Sequence, residues 1–173
     1  AAAFAQDLCV VTDFSGDSDT SVTAEAAGVF SMDGSQTFYS KNVYEKLYPA
    51  STTKIMTALI AIKYGNLSDE VTVTSDAEIT EAGATLSGIH PGDKLTLEQL
   101  LYGLMLPSGN DAGAAIAVHM GGSIEGFADM MNQEARAIGA TGTHFTNPHG
   151  LHEEDHYTTA YDLALIMKAC LDH

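Results

Sequence analysis

A mixed α/β (α+β) domain is what this sequence predicts, on three observations. Apolar residues recur at helical spacing in five stretches, each opened or closed by a capping or breaking residue. Asp33-Gly34-Ser35 lies between the runs Ala27 to Met32 and Gln36 to Ser40, which is a hairpin signal. Glu70-Val71-Thr72-Val73-Thr74 alternates as a short half-buried strand does.

Taken in order, residues 1–21 read as an N-terminal extension or linker. Leu8-Cys9-Val10-Val11 can form a short strand, and Ser15 to Ser21 is a polar loop. Residues 22–173 read as one domain, long enough to bury a core. After the hairpin, Asn42 to Tyr48 leads into a helix over Tyr48 to Ile62. Beyond its first turn that helix is apolar on almost every side, so it belongs in the core. It ends near Tyr64-Gly65-Asn66, where glycine can take the C′ position. Residues 75–93, with Gly83, Gly88, Pro91 and Gly92, look irregular. Thr96-Leu97-Glu98-Gln99 is a capping box opening a helix through Leu106, which Pro107 stops. Asp111 to Met120 is an Ala-rich helix closed by Gly121-Gly122. Ser123 can cap the next, whose face is Phe127, Met130, Met131, Glu134 and Ile138; its methionines read as core rather than as a metal or cofactor site. After a loop rich in Gly, Thr, Asn and His, Thr158 or Thr159 caps a last helix with Leu163, Ile166, Met167 and Cys170 inward.

Composition narrows the function classes. The formal charge is −16, from 23 acidic and 7 basic residues. That argues against nucleic acid, which requires clustered Lys and Arg. The acid is spread along the chain, as on a solvated surface. With 45% hydrophobic residues and no apolar run of 18, the chain reads as globular without a membrane span. Cys9 and Cys170 are too few for a disulfide framework, and whether they pair cannot be read from sequence. No charged n-region and h-region open the chain, so any secretory signal is expected to have been removed or left out.

Three patterns carry chemistry. Ser51 and Lys54 stand three apart in the first turn of the apolar helix, so they share a face. A lysine kept neutral by burial accepts a proton, and a serine beside it becomes a nucleophile. The helix N-terminus adds backbone N–H groups suited to an oxyanion. Against this, Ser-x-x-Lys arises by chance about once in a chain of this size, and Ser or Thr at a helix start is an ordinary cap. The second pattern is Pro107-Ser108-Gly109-Asn110-Asp111, a tight break presenting a serine and an asparagine. Its plain alternative is capping by Ser108 or Asn110, and Ser40-Lys41-Asn42 has the same spacing. The third, His152-Glu153-Glu154-Asp155-His156, matches the His-Glu-x-x-His zinc pattern, which works only on a helix. Pro148, Gly150 and a nearby capping threonine argue against a helix there. His144 and His149 read as loop-packing groups.

Together these stretches resemble the serine-type D-alanyl-D-alanine carboxypeptidases, the low-molecular-mass penicillin-binding proteins. The resemblance rests on Tyr48-Pro49-Ala50-Ser51-Thr52-Thr53-Lys54-Ile55-Met56-Thr57, Gly92 to Thr96, Leu100 to Ala112 and Met131-Asn132. It continues through Thr143-His144-Phe145-Thr146-Asn147-Pro148-His149-Gly150-Leu151 and His156 to Ala164, covering about residues 24–171. It implies a β-lactamase/transpeptidase-like two-lobed domain, a helical lobe beside an antiparallel sheet with the site between. It implies Ser51 as nucleophile, Lys54 as general base, Ser108 as proton relay and Asn110 as holder of the substrate backbone. The implied substrate is a peptidoglycan stem peptide, with β-lactam antibiotics acylating the same serine. No cofactor and no metal are implied, and the setting is extracytoplasmic.

The family's third motif, Lys-Thr-Gly, does not occur in this sequence. The expectation is therefore an N-terminal part of a larger enzyme, inactive by itself, whose open sheet edge invites self-association or complementation. Two other readings share these motifs. A class A-like β-lactamase would need Glu153 or Glu154 over a deacylating water. The other is a non-catalytic penicillin- or peptidoglycan-binding fragment.

Overall fold

A computed structural model describes residues 21–173. Helix α1 (Thr53–Tyr64) is its centre, with Met56, Leu59, Ile60 and Ala61 all fully buried. Fully burying each of the larger side chains contributes about 1.5–3 kcal/mol. Around α1 lie α2 (Leu97–Met105), α3 (Asn110–Gly121), α4 (Ile124–Ala137) and α5 (Ala160–Leu171), each in contact with it. Leu97, Leu100, Leu104, Ile116, Phe127, Met131 and Ile166 close the same core.

The strands form two antiparallel pairs. β1 (Ala27–Phe30) pairs with β2 (Thr37–Lys41), with an irregularity between Val29 and Phe30. The hairpin expected around Asp33-Gly34 is thus present, and Gly34 takes the positive φ its turn requires. Its Asp33 carboxylate accepts from the Ser31 and Ser35 hydroxyls and the Ser35 N–H. The hairpin lies against α5, the Phe30 ring edge-on to Tyr161. β3 (Glu70–Thr72) pairs with β4 (Lys94–Thr96) and buries Val71 in the helical core. β4 is absent from the sequence reading, being three residues with no alternation to mark it. Between β3 and β4 the chain is irregular, as expected, apart from a 3-10 turn at Ser75–Ala77.

The capping expectations hold in atomic detail. Thr96 Oγ1 accepts from the Gln99 N–H while the Gln99 side chain accepts from the Thr96 N–H. Ser123 caps α4, and of the two threonines it is Thr159 that caps α5. Two inward faces differ from expectation. On α4, Phe127, Met131 and Glu134 are buried with Ala128 and Ala135, whereas Met130 is only partly covered. On α5 the buried apolar residues are Leu165 and Ile166, while Met167 points outward, because the helix packs on both α1 and the hairpin. Glu134 is a charge on an apolar face for a reason. It accepts from Lys63 Nζ at 2.7 Å and Tyr64 OH at 2.6 Å, tying α4 to the last turn of α1. The expected strand near Leu8, and Cys9 with it, lie outside the described residues.

Gly65 closes α1 for a reason other than the expected left-handed turn. Its φ of −88° and ψ of 167° are open to any residue. A Cβ there would, however, sit 2.5 Å from Leu97 Cδ2 and 2.6 Å from the Ala61 carbonyl oxygen. Gly65→Ala should therefore lower stability by about 1–3 kcal/mol, as overpacking does. Thermal unfolding checks this: a melting temperature within a degree of the parent would mean that α2 yields freely.

Candidate active site

Ser51 stands just ahead of α1, in a 3-10 turn over Ala50–Thr52. Ala50 has φ of 47°, a left-handed conformation unusual for a residue with a Cβ. That turn lifts Ser51 out of the helix proper and leaves it exposed. Neither Ser51 nor Thr52 caps α1 with its side chain. The Ser51 hydroxyl instead meets Lys54 Nζ at 3.1 Å and Ser108 Oγ at 3.1 Å.

Lys54 is 3% exposed. Its ammonium donates to Ser51 Oγ, to Asn110 Oδ1 at 2.7 Å and to the His149 carbonyl at 2.8 Å. Burial pushes it down to about 8 from the ordinary lysine value of 10.5. The three acceptors differ in kind. Two are carbonyl oxygens, which only accept; the third is a hydroxyl, which can also donate. When Lys54 loses a proton, its two remaining N–H bonds stay on the carbonyls and its lone pair faces Ser51. The neutral amine is then fully partnered and poised to take the Ser51 proton.

Ser108 and Asn110 flank Gly109, which is the N-terminal boundary residue of α3. Neither side chain caps that helix. Ser108, with φ of 59°, turns its hydroxyl to Ser51, and Asn110, 4% exposed, turns its oxygen to Lys54. The competing triplet Ser40-Lys41-Asn42 lies at the end of the hairpin, where Lys41 Nζ donates to the Val22 carbonyl and Asn42 Nδ2 to the Glu25 carbonyl. Sequence reasoning missed what steadies Ser108. Thr85 Oγ1 donates to the Ser108 carbonyl at 2.6 Å, and Asn110 N–H donates to the Thr85 carbonyl. The 85–89 loop is itself gathered on Asp111, whose buried carboxylate accepts from the N–H groups of Ser87, Gly88, Ile89 and Ala112 and from Ser87 Oγ. Burial alone would push Asp111 up, but the backbone donors outweigh it and hold the carboxyl below its usual range.

The loop 146–150 supplies the remaining wall. Thr57 Oγ1 donates to the Pro148 carbonyl at 2.6 Å, and Thr53 Oγ1 meets His156 Nε2 at 2.8 Å. Asn147 Oδ1 accepts from Gly150 N–H at 2.7 Å and so shapes the turn from within. Gly150 has φ of +89°, and the space a Cβ would need holds the Ala50 carbonyl and Thr53 Oγ1. Only glycine fits there. Both buried histidines, His149 and His156, are held down to about 4 by burial above all, so they are neutral near pH 7.

The His152 to His156 segment is not helical. His152 is exposed, its ring edge-on to Tyr48, while His156 is buried with both ring nitrogens engaged. The two do not share a face as a zinc pair on a helix would.

A family model described as D-alanyl-D-alanine carboxypeptidase matches residues 13–173. The chain belongs to that family. Among curated members, D-alanyl-D-alanine carboxypeptidase DacF of Bacillus subtilis is 37% identical over 153 residues, 87% of this chain and 39% of that protein. Among solved members, DacD from Francisella tularensis is 37% identical with a TM-score of 0.79, covering 86% of this chain and 37% of that one. Penicillin binding protein 5 from Haemophilus influenzae is 29% identical with a TM-score of 0.81, covering 87% and 46%. This carboxypeptidase-family chain thus spans less than half the length of each of these three relatives. Their likeness carries the mixed helical and antiparallel fold read from the sequence.

Asp111 yields a prediction. Asparagine offers one acceptor oxygen in place of a carboxylate, and its amide would face N–H donors. Asp111→Asn should cost about 1–3 kcal/mol and speed amide exchange at Ser87 and Gly88 ahead of the core. Because the folded carboxyl is depressed, its contribution is present above the unfolded value and disappears as pH falls through the folded one. Unchanged exchange at Ser87 and Gly88 would remove Asp111 as the organiser of this loop.

Proposed function

We propose that this chain carries the nucleophile and base of a serine D-alanyl-D-alanine carboxypeptidase, removing the terminal D-alanine of peptidoglycan stem peptides through an acyl-enzyme. The observation that carries the reading is the buried lysine within 3.1 Å of an exposed serine hydroxyl. Ser51 Oγ attacks the carbonyl carbon of the penultimate D-alanine as its proton passes to Lys54 Nζ. The Ser51 N–H is one oxyanion donor. The bond to the terminal D-alanine nitrogen breaks, and that nitrogen gains a proton through Ser108, which touches Ser51. Water then cleaves the ester and frees Ser51. Asn110, anchored by its oxygen to Lys54, has its amide nitrogen left to hold the substrate backbone. A β-lactam enters at the same attack and forms the same kind of ester. The chemistry calls for no cofactor.

A peptidoglycan substrate puts the protein outside the cytoplasm. No helix among the described residues is long and apolar enough to cross a membrane. The β-lactamase alternative has less support: Glu153 is exposed and accepts from Asn147 Nδ2 at 2.9 Å, so it serves the turn.

The test is labelling by penicillin of protein extended through the family's Lys-Thr-Gly motif. Ser51→Ala should abolish the label, and Lys54→Ala should slow acylation by about 10²–10⁴. The rate should climb with pH through about 8 as Lys54 becomes neutral. Normal acylation by Lys54→Ala would sink the assignment, label that turns over rapidly would indicate a β-lactamase, and reversible binding without label a mere binding module.

We infer further that the chain self-associates along β1. Among the described residues β1 pairs only with β2, and Val29, Met32 and Phe38 are 52%, 64% and 64% exposed. An edge of this kind recruits a further strand. Sedimentation of the 173-residue chain should show a concentration-dependent dimer that Val29→Lys weakens; a monomer at all concentrations would refute it.

A further inference from the structure

We propose that Thr53 and His156 are a positioning pair that fixes the His149 carbonyl against Lys54, and so governs the base. The proposal rests on the Ser51–Lys54 reading above. Of the three acceptors on Lys54, two come from residues at helix starts, but the third is the main chain of a loop. A loop carbonyl holds its place only if the loop is held. Asn147 shapes that loop from within and attaches it to nothing in α1. The attachment comes from α1 itself, through Thr57 to the Pro148 carbonyl and Thr53 to His156. Residues 53, 54 and 57 lie on one side of the helix, so both ties flank the lysine.

His156 works as a strut. Its Nδ1 accepts from the Thr146 N–H at 3.0 Å, so the ring proton belongs on Nε2, which donates to Thr53 Oγ1 at 2.8 Å. The ring thereby joins the start of the loop to the first turn of α1. It is 2% exposed and Thr53 is fully buried, so no water substitutes if either is lost. Neither touches Ser51 or Lys54 Nζ, which makes them positioning residues.

Removing the Thr53 hydroxyl strands the His156 N–H in a dry site. The loop then lifts, the His149 carbonyl leaves Lys54, and water reaches Nζ. Burial is what holds Lys54 low, so hydration returns it toward an ordinary lysine. The ionisable groups acting on this corner are His149, His156, His144, Glu81 and Glu153. Both buried histidines are already neutral above about pH 5, so a change in the alkaline range reports Lys54.

The experiment takes as parent the protein extended through the Lys-Thr-Gly motif, and compares it with its Thr53→Val, Thr53→Ser and Thr57→Val variants. Two readouts are taken against pH: the side-chain carbon resonance of Lys54 by NMR, and the rate of acylation by penicillin. Thr53→Val should move the lysine titration up by about one unit, which leaves about tenfold less neutral amine at pH 7 and slows acylation equally. The penicillin concentration giving half-maximal rate should change little. Thr53→Ser, which keeps the hydroxyl, should follow the parent, and Thr57→Val should shift in the same direction as Thr53→Val. An unmoved or lowered titration in Thr53→Val overturns the proposal, as does an equal shift in Thr53→Ser. Should Thr53→Val not fold, Thr57→Val and the nitrogen resonances of His156 in the parent decide. A proton found on Nδ1 overturns the strut. A parent that penicillin fails to acylate defeats the carboxypeptidase reading alone, since the NMR titration still judges the pair.

Discussion

An ammonium group with 3% exposure must find an acceptor for each of its three protons, and Lys54 finds them in three parts of the chain. One is the turn before α1, one the start of α3, one the loop that follows α4. Burying a charge is costly unless every donor is matched, so those parts cannot drift separately. The apolar remainder of α1 serves this arrangement. It sinks the helix into four others, and the lysine at its head is dried by the same packing. What would be a liability for stability alone also lowers the lysine's proton affinity toward neutral pH, as the proposed base requires.

The groups that directly contact Lys54 Nζ are neutral: two carbonyl oxygens and a hydroxyl. His149 and His156 lack charge near pH 7, and Asp111 spends its own on main-chain amides. No carboxylate among the described residues bridges to Lys54. An anion beside Lys54 would raise its proton affinity and so weaken it in the base role proposed for it. The chain is strongly acidic overall, yet among the described residues none of those carboxylates forms a salt bridge with Lys54.

Much of this was legible in the sequence where a residue type carries its own geometry. The contact of Ser51 with Lys54 was legible because residues three apart meet in a 3-10 turn as they do in the α-helical turn expected there. The Thr96–Gln99 box, the Ser123 cap and the Asp33-Gly34 turn were legible because few residues do those jobs. The His149 carbonyl was not, since every residue owns a carbonyl and none advertises its use. His156 was hidden behind a false zinc pattern, and its true partner, Thr53, is 103 positions away. β4 is too short for periodicity, and the rotated face of α5 follows from which neighbours it meets, a tertiary fact. Gly65 was noticed for the wrong property: its lack of a side chain matters, and its backbone freedom does not.

Ala50 and Ser108 share one trait: each holds a left-handed backbone that side chains disfavour. They sit beside the two hydroxyls that touch. Each such residue holds about 1–3 kcal/mol of strain that the surrounding structure must restrain. The fold is therefore less stable than its core would allow, and the deficit is lodged at the reactive corner. A lineage adapting to heat would find easy gains here, since relaxing either turn releases that energy. Every such gain would draw the serines apart, so thermal adaptation has to come from the periphery instead: the helix ends, the exposed loops and the hairpin.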